Sequence, residues 1–197
     1  MRIGADYYPE HWEKERWKTD AEMMVKANIK VIRIGEFAWS LYEPEEGKYE
    51  FDWMDEALDF FGKYGIKVVM CTPSATPPKW MIDKYPDILQ NDIHGNPKLF
   101  GTRKHYCFNS QTYREKTKKL NTLIAKRYAK HPAIEAWQGD NELGWSNTTR
   151  CYCKSCENRF RNWLKEKYGT IDNLNKTYGT TFWSQIYRSF DELIIPK

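Results

Sequence analysis

Apolar residues recur along this chain at two spacings. Short runs of strand type predict strands at 2–5, 29–34, 66–71 and 134–138, the second of them β-branched. Between them the apolar positions fall on helical faces. In 13–27 the face is Trp17, Ala21, Met24 and Val25, spaced i, i+4, i+7, i+8. A second helix starts at Asp52 as N-cap, shows Met54, Ala57, Leu58, Phe61 and Tyr64, and stops at Gly65. A third spans 111–128 with Leu120, Leu123, Ile124 and Tyr128, and a fourth spans 154–168 with Phe160, Trp163, Leu164 and Tyr168 turned inward. The Pro-rich stretch 72–109 reads as loop around a short helix at 79–84, and 172–178 as a further short helix.

Strand followed by helix, four times over, predicts an α/β fold with a parallel sheet and helices outside it. The helix-to-strand turns are tight, at Asn28, Gly65 and His131-Pro132, whereas long polar and aromatic loops follow strands two, three and four. Irregular sequence gathered at the strands' C-terminal ends is the pattern of a (β/α)8 barrel, whose site is built there. A doubly wound nucleotide fold would need a Gly-rich loop after strand one, where this chain has Asp6-Tyr-Tyr-Pro-Glu10.

Composition narrows the function. The 31 Lys and Arg are interspersed with 27 Asp and Glu, for a net charge of +4, which argues against a nucleic-acid groove or a polybasic membrane anchor. No apolar run approaches the roughly 20 residues of a membrane helix. The N-terminus lacks the basic flank and apolar stretch of a secretory signal, so the expected location is the cytoplasm. Aromatic residues make up 16% of the chain, several in polar loops.

The most informative segment is Gln138-Gly-Asp-Asn-Glu-Leu-Gly144, just past the fourth strand. An acid at a strand end beside an amide suits general acid–base work, with aromatic walls able to raise its pKa by desolvation. The adjacent Asn141 could bond a sugar hydroxyl beside the reacting carbon. Spacing alone fits equally a loop carboxylate capping the next turn.

Five blocks, in order, resolve that choice by resemblance. They are Gly4-Ala-Asp-Tyr-Tyr-Pro-Glu-His-Trp12, Arg33-Ile-Gly-Glu-Phe-Ala-Trp-Ser40, Thr72-Pro-Ser-Ala-Thr-Pro-Pro-Lys-Trp80, Gly101-Thr-Arg-Lys-His-Tyr-Cys107 and Gln138-Gly-Asp-Asn-Glu-Leu-Gly144. With them, residues 1–187 resemble the N-terminal part of the glycoside hydrolase family 42 β-galactosidases. The resemblance implies that residues 1–197 form about strands one to four of a TIM-type (β/α)8 catalytic barrel, the remaining half-barrel and later family domains lying outside. It implies a retaining β-galactosidase acting on terminal β-D-galactosides, with Glu142 as acid/base, Asn141 on the substrate 2-hydroxyl, and Arg103 and Trp183 in the galactose site. On the residues alone, Arg103 could equally be a surface guanidinium paired with a carboxylate, and Trp183 a core aromatic. Trp39, Trp80 and Trp145 are further candidates for a sugar-facing wall, and His11 and His105 fall in blocks near the expected cleft.

Cys151-Tyr-Cys153-Lys-Ser-Cys156 packs three thiols into six residues, and Cys107 lies in an earlier loop. Four thiolates suit a closed structural zinc site; disulfides and free thiols are the competing readings, the first disfavoured in a reducing compartment. The resemblance adds weight to Zn2+, since some family members carry a four-Cys cluster at matching positions; no organic cofactor is expected. Cys71, ending a buried strand, reads as core.

A retaining glycosidase needs a second carboxylate about 5–5.5 Å from the first. The family's nucleophile is a Glu at the end of strand seven, and no residue here matches it. Asp6, Glu36 and Asp140 stand at strand ends, but strand alternation turns Asp140 away from Glu142, and Asp6 and Glu36 read better as hydrogen-bonding substrate or bracing loops than as a nucleophile. The expectation is half a catalytic domain, nearly inactive alone, with open edges at strands one and four satisfied by a complementary C-terminal half-barrel or by self-association. Two alternatives remain: a non-catalytic, zinc-stabilised carbohydrate-binding or assembly module, and a barrel β-glycosidase of another specificity.

Overall fold

The computed structural model describes residues 2–101, 103–144 and 150–197. Four strands, β1 (Ile3–Asp6), β2 (Ile29–Ile34), β3 (Lys67–Cys71) and β4 (Ile134–Gln138), form one sheet in the order β1-β2-β3-β4, every pair parallel. Helices α1 (Lys14–Lys26), α3 (Asp52–Lys63) and α5 (Gln111–Tyr128) make the crossovers, with short helices α2 (Trp39–Tyr42) and α4 (Lys79–Lys84) in the loops after β2 and β3. After β4 come α6 (Lys154–Tyr168) and α7 (Ile171–Tyr178). This is the α/β arrangement of the first half of a TIM-type (β/α)8 barrel, as the strand and helix spacing predicts.

Alternation along the strands divides the sheet into two faces. Ile32, Ile34, Val68 and Met70 are buried against Trp17, Ala21, Met54, Leu58 and Phe61 of α1 and α3. Burying each such side chain contributes about 1.5–3 kcal/mol, which makes this layer the main source of stability. On the other face the register aligns Gly4 with Val31, Asp6 with Arg33, and Gln138 with Cys71, so the polar members collect at the strands' C-terminal ends. Gly35, just past β2, has φ +89°, and a Cβ there would lie 3.3 Å from Met54 and from the Tyr42 hydroxyl. Only glycine turns the chain in that space.

Several boundaries shift. Asp52 is the first residue of α3 rather than its cap; Phe51 precedes it, and Asp52 and Asp55 instead place negative charge in the first turn. Ile66 lies outside β3, its N–H bonded back to Phe61 O as α3 ends. Val25 is 43% exposed, because the buried face of α1 is Trp17, Asp20, Ala21 and Met24. Trp163 is 47% exposed rather than inward: it stacks on Phe160 at 6.1 Å under Lys167. A smaller second core, Leu164, Leu174 and Leu193, holds α6 and α7 together.

Strands β1 and β4 each have one hydrogen-bonded neighbour among the described residues, and both are largely exposed. Trp137, in register with buried Met70, is 41% exposed on β4.

Candidate active site and metal-binding cluster

Arg33 organises the strand ends. It sits on β2 between Ile32 and Ile34, so strand alternation turns it away from the helices. Its Nη2 donates to Asp6 Oδ2 and to Glu36 Oε1, both at 2.9 Å, and its Nε lies 2.9 Å from Asp6 Oδ1. Its Nη1 donates to Gln138 Oε1 at 3.0 Å and to Asn141 Oδ1 at 3.4 Å. One guanidinium thereby joins β1, the loop after β2, and the end of β4. Burial would lower its pKa, but Glu36 and Asp6 outweigh that and hold it above its ordinary value. The Tyr8 hydroxyl donates to Glu36 at 2.9 Å, and burial together with that carboxylate pushes the phenol up to about 12. Sequence reading noticed the carboxylates and missed the arginine. Its signal was present: a charged residue inside a β-branched strand, with acids at neighbouring strand ends.

At the end of β4 the chain turns sharply, and Glu142 adopts a left-handed φ of +45°. Its Oε2 lies 2.9 Å from Arg103 Nη2, with the pair only partly shielded from solvent. Asn141 is buried; its Oδ1 accepts from Arg33 and from Gln138 Nε2 at 3.3 Å. Asp140 turns the other way, toward Lys104 and Tyr106. The carboxylates of Asp6, Glu36 and Asp140 are therefore engaged with cations, while Glu142 is presented on a loop with its arginine. A cavity of about 340 Å³ adjoins Arg103, walled by Phe37, Thr76, Lys79, Phe100 and His105. His105 is buried edge-on to Phe100 at 5.6 Å, and His11 stacks on Tyr8 at 5.1 Å.

Arg103, Asn141 and Glu142 thus come together. Trp183 sits on a short 3-10 turn, Phe182–Ser184, after α7; it is 79% exposed with φ +62°, its ring edge-on to Phe182 at 5.1 Å. Trp39 is no sugar wall: it is buried, its indole N–H donating to Glu43 Oε2 at 3.0 Å. Trp80 is half-buried against the main core and donates to Glu43 O at 2.8 Å. Both rings pack in or against the main core, Trp39 with its ring centre 6.3 Å from that of Tyr113 of α5. Trp145 lies outside the described residues.

Cys107, Cys151, Cys153 and Cys156 also converge. Their Sγ atoms lie within 4.8 Å of one another, with Cys107 at 3.3 Å from Cys156 and 3.4 Å from Cys153. A disulfide would need about 2.05 Å, so these are separate thiols. Two chain segments build the cluster: Cys107 in the loop before α5, and the stretch 151–156 that runs from the approach to α6 into its first turn. Tyr152 N–H donates to Asn91 O at 3.0 Å, and Cys107 N–H to Ile88 O at 2.6 Å, fixing the loops to each other. Asn109 donates from its backbone N–H to Cys107 Sγ at 3.3 Å and from Nδ2 to Cys156 Sγ at 3.2 Å. Hydrogen bonds from Cys107 and Cys151 hold the Cys156 thiol below its ordinary pKa against burial, whereas contacts with Cys151 and Cys156, together with burial, push Cys107 up. Four sulfur donors at this spacing could hold a metal ion. Cys71 is separate: buried at the end of β3, its thiol is pushed up to about 12, chiefly by burial.

Comparison with known proteins draws these features together. A family model described as β-galactosidase, glycoside hydrolase 42, matches residues 6–197. The β-galactosidase of Thermus thermophilus is 53% identical over 194 residues, covering 98% of this chain and 30% of the relative. The β-galactosidase BgaH of Haloferax lucentense is 47% identical over 197 residues, covering 100% and 30%. The crystal structure of β-galactosidase from the psychrophilic Marinomonas ef1 superposes with a TM-score of 0.96 at 47% identity, covering 100% of this chain and 30% of that one. The chain thus spans about 30% of the length of these relatives.

Proposed function

The chain belongs to the glycoside hydrolase family 42 β-galactosidases, and on that premise we propose that it supplies the acid/base side of a retaining site for terminal β-D-galactosides. The observation that carries this reading is the Arg103–Glu142 pair, 2.9 Å apart at the end of β4 beside a buried, doubly held Asn141. In the proposed reaction Glu142 donates its proton to the glycosidic oxygen as the bond to the anomeric carbon breaks, then takes a proton from the water that releases the sugar. With its Oδ1 engaged, Asn141 offers Nδ2 to the 2-hydroxyl, a contact that strengthens as charge develops on the ring. Arg103 binds galactose and orients the Glu142 carboxyl, and Trp183 offers an exposed ring to the sugar's apolar face.

The nucleophile comes from elsewhere. Asp6 and Glu36 bridge to Arg33 and Asp140 to Lys104, and in this reading they brace the strand ends rather than attack the anomeric carbon. Residues 1–197 act as part of a catalytic barrel, and the chain turns over little alone. A complementary C-terminal half-barrel bearing a strand-end Glu covers the edges of β1 and β4 and the exposed Trp137.

Cys107, Cys151, Cys153 and Cys156 hold Zn2+ in a structural site that pins the loop after β4. Four thiols left unpaired by disulfides match a reducing cytoplasm. No helix among the described residues is long and apolar enough to cross a membrane.

Calorimetry with galactose tests the site directly. Binding to the chain that is lost in Arg103→Ala supports the reading; no binding, or binding indifferent to that change, overturns it.

A further inference from the structure

Lys104 is fully buried, the sole lysine so placed among the described residues. Its Nζ lies 3.7 Å from Asp140 Oδ1 and 5.9 Å from the centre of the Phe108 ring. A buried ammonium is costly unless an anion accompanies it, and here that anion is Asp140. Asp140 is itself held on other sides: Asn141 N–H donates to Oδ1 at 2.6 Å, and the Tyr106 hydroxyl donates to Oδ2 at 3.4 Å. The Tyr106 ring stacks on Tyr113 of α5 at 3.8 Å, and the Tyr113 hydroxyl donates to Ser74 O at 2.9 Å. Lys104 N–H donates to Ala75 O at 2.9 Å, in the loop after β3. The joint is thus tied to α5 and to the loop after β3, whose Thr72 also donates to Gln138 O at 3.0 Å and to Gly139 O at 2.6 Å at the end of β4.

Its placement in sequence gives it meaning. Lys104 directly follows Arg103, and Asp140 stands two residues before Glu142. Both segments pass through left-handed backbone, at Lys104 (φ +57°) and at Glu142 (φ +45°). Non-glycine residues keep that conformation only where their surroundings over-determine it. We infer that Lys104, Asp140 and Tyr106 are positioning residues that lock the loop carrying Arg103 to the end of β4, so that Arg103 and Glu142 are held face to face before any sugar arrives. None of the three touches substrate; they act through the pair. The inference rests on the proposed reading of that pair as part of the galactoside site.

Carboxyl carbon NMR of the 13C-glutamate-labelled chain tests it. The Glu142 resonance is identified by its loss in Glu142→Gln, and Arg103→Met gives its position when the ion pair is broken. Lys104→Met and Asp140→Asn are expected to move the resonance at least half of the way to that position, and Tyr106→Phe to move it less in the same direction. Leu120→Ala, a core cavity elsewhere in α5, is expected to leave it in place. If Lys104→Met does not fold, Asp140→Asn and Tyr106→Phe decide by the same criterion. The inference is overturned if these variants leave the resonance within its wild-type linewidth, if Arg103→Met itself moves nothing, or if Leu120→Ala moves it as far. Added galactose reports separately: a wild-type spectrum indifferent to galactose removes the sugar-site reading, while the movement of Glu142 in the joint variants still stands or falls alone.

Discussion

Glu10, in the 3-10 turn Pro9–His11 after β1, carries a poorly compensated charge. Both of its carboxylate oxygens are buried and without a hydrogen-bond partner among the described residues, and burial raises its pKa above the ordinary 4.5, against its own backbone N–H and nearby His11. A raised acid favours the folded state fully below its unfolded pKa, and that contribution is lost as pH rises through the folded value. Glu10→Gln, which mimics the neutral acid, should therefore gain stability relative to wild type as pH is taken upward from 4.5; urea midpoints at several pH values check this. Arg33 is the opposite case, a cation whose loss strands the fully buried Glu36. Arg33→Met should cost about 3 kcal/mol in urea unfolding, the low end for breaking a buried pair, because the guanidinium is itself partly exposed. At this scale sequence reading was uneven. Glu142, Asn141 and Arg103 stood out because motif blocks surround them. Arg33 did not, since its importance comes from register with Asp6 and Gln138, which one strand's sequence cannot display. Trp39 misled because the segment after β2 reads as loop, whereas a single helical turn there carries the ring into the core.

Between residues and the whole, α3 is the element on which the sheet rests. Phe61 is fully buried and edge-on to Tyr7 at 5.1 Å, so Phe61→Ala should cost about 3–5 kcal/mol and lower the thermal midpoint accordingly. The long helices α5 and α6 were legible because their faces repeat, and the shorter α4, β2 and β4 also have the bounds the sequence predicts. Helix α2 was not, because Trp39–Tyr42 is a single turn too short to show a period. The loop before α6 shows how much a non-periodic element can still reveal, since the thiol spacing indicated the cluster that the fold assembles. Elemental analysis of the purified chain should find about one zinc per chain, and chelation should lower the thermal midpoint. Less than half an equivalent, with all four thiols reacting freely, would contradict the zinc assignment.

For the molecule as a whole, the sheet ends at two exposed strands, and the chain spans about 30% of the relatives' length. Strand order followed from the alternation of strands and helices, because parallel crossovers of this kind place neighbours in sequence side by side. What covers β1 and β4 could not be read the same way, since that depends on sequence the strands do not contain. In the proposed function Glu142 supplies proton transfer and its partner carboxylate lies on the complementary half-barrel. The most direct test is hydrolysis of a nitrophenyl β-D-galactoside by this chain, alone and supplied with that half from a family member. Turnover should be near background alone, appear on reconstitution, and fall about 10²–10⁴-fold in the reconstituted Glu142→Gln variant. Appreciable turnover by the chain alone, or a reconstituted rate indifferent to Glu142→Gln, would contradict it.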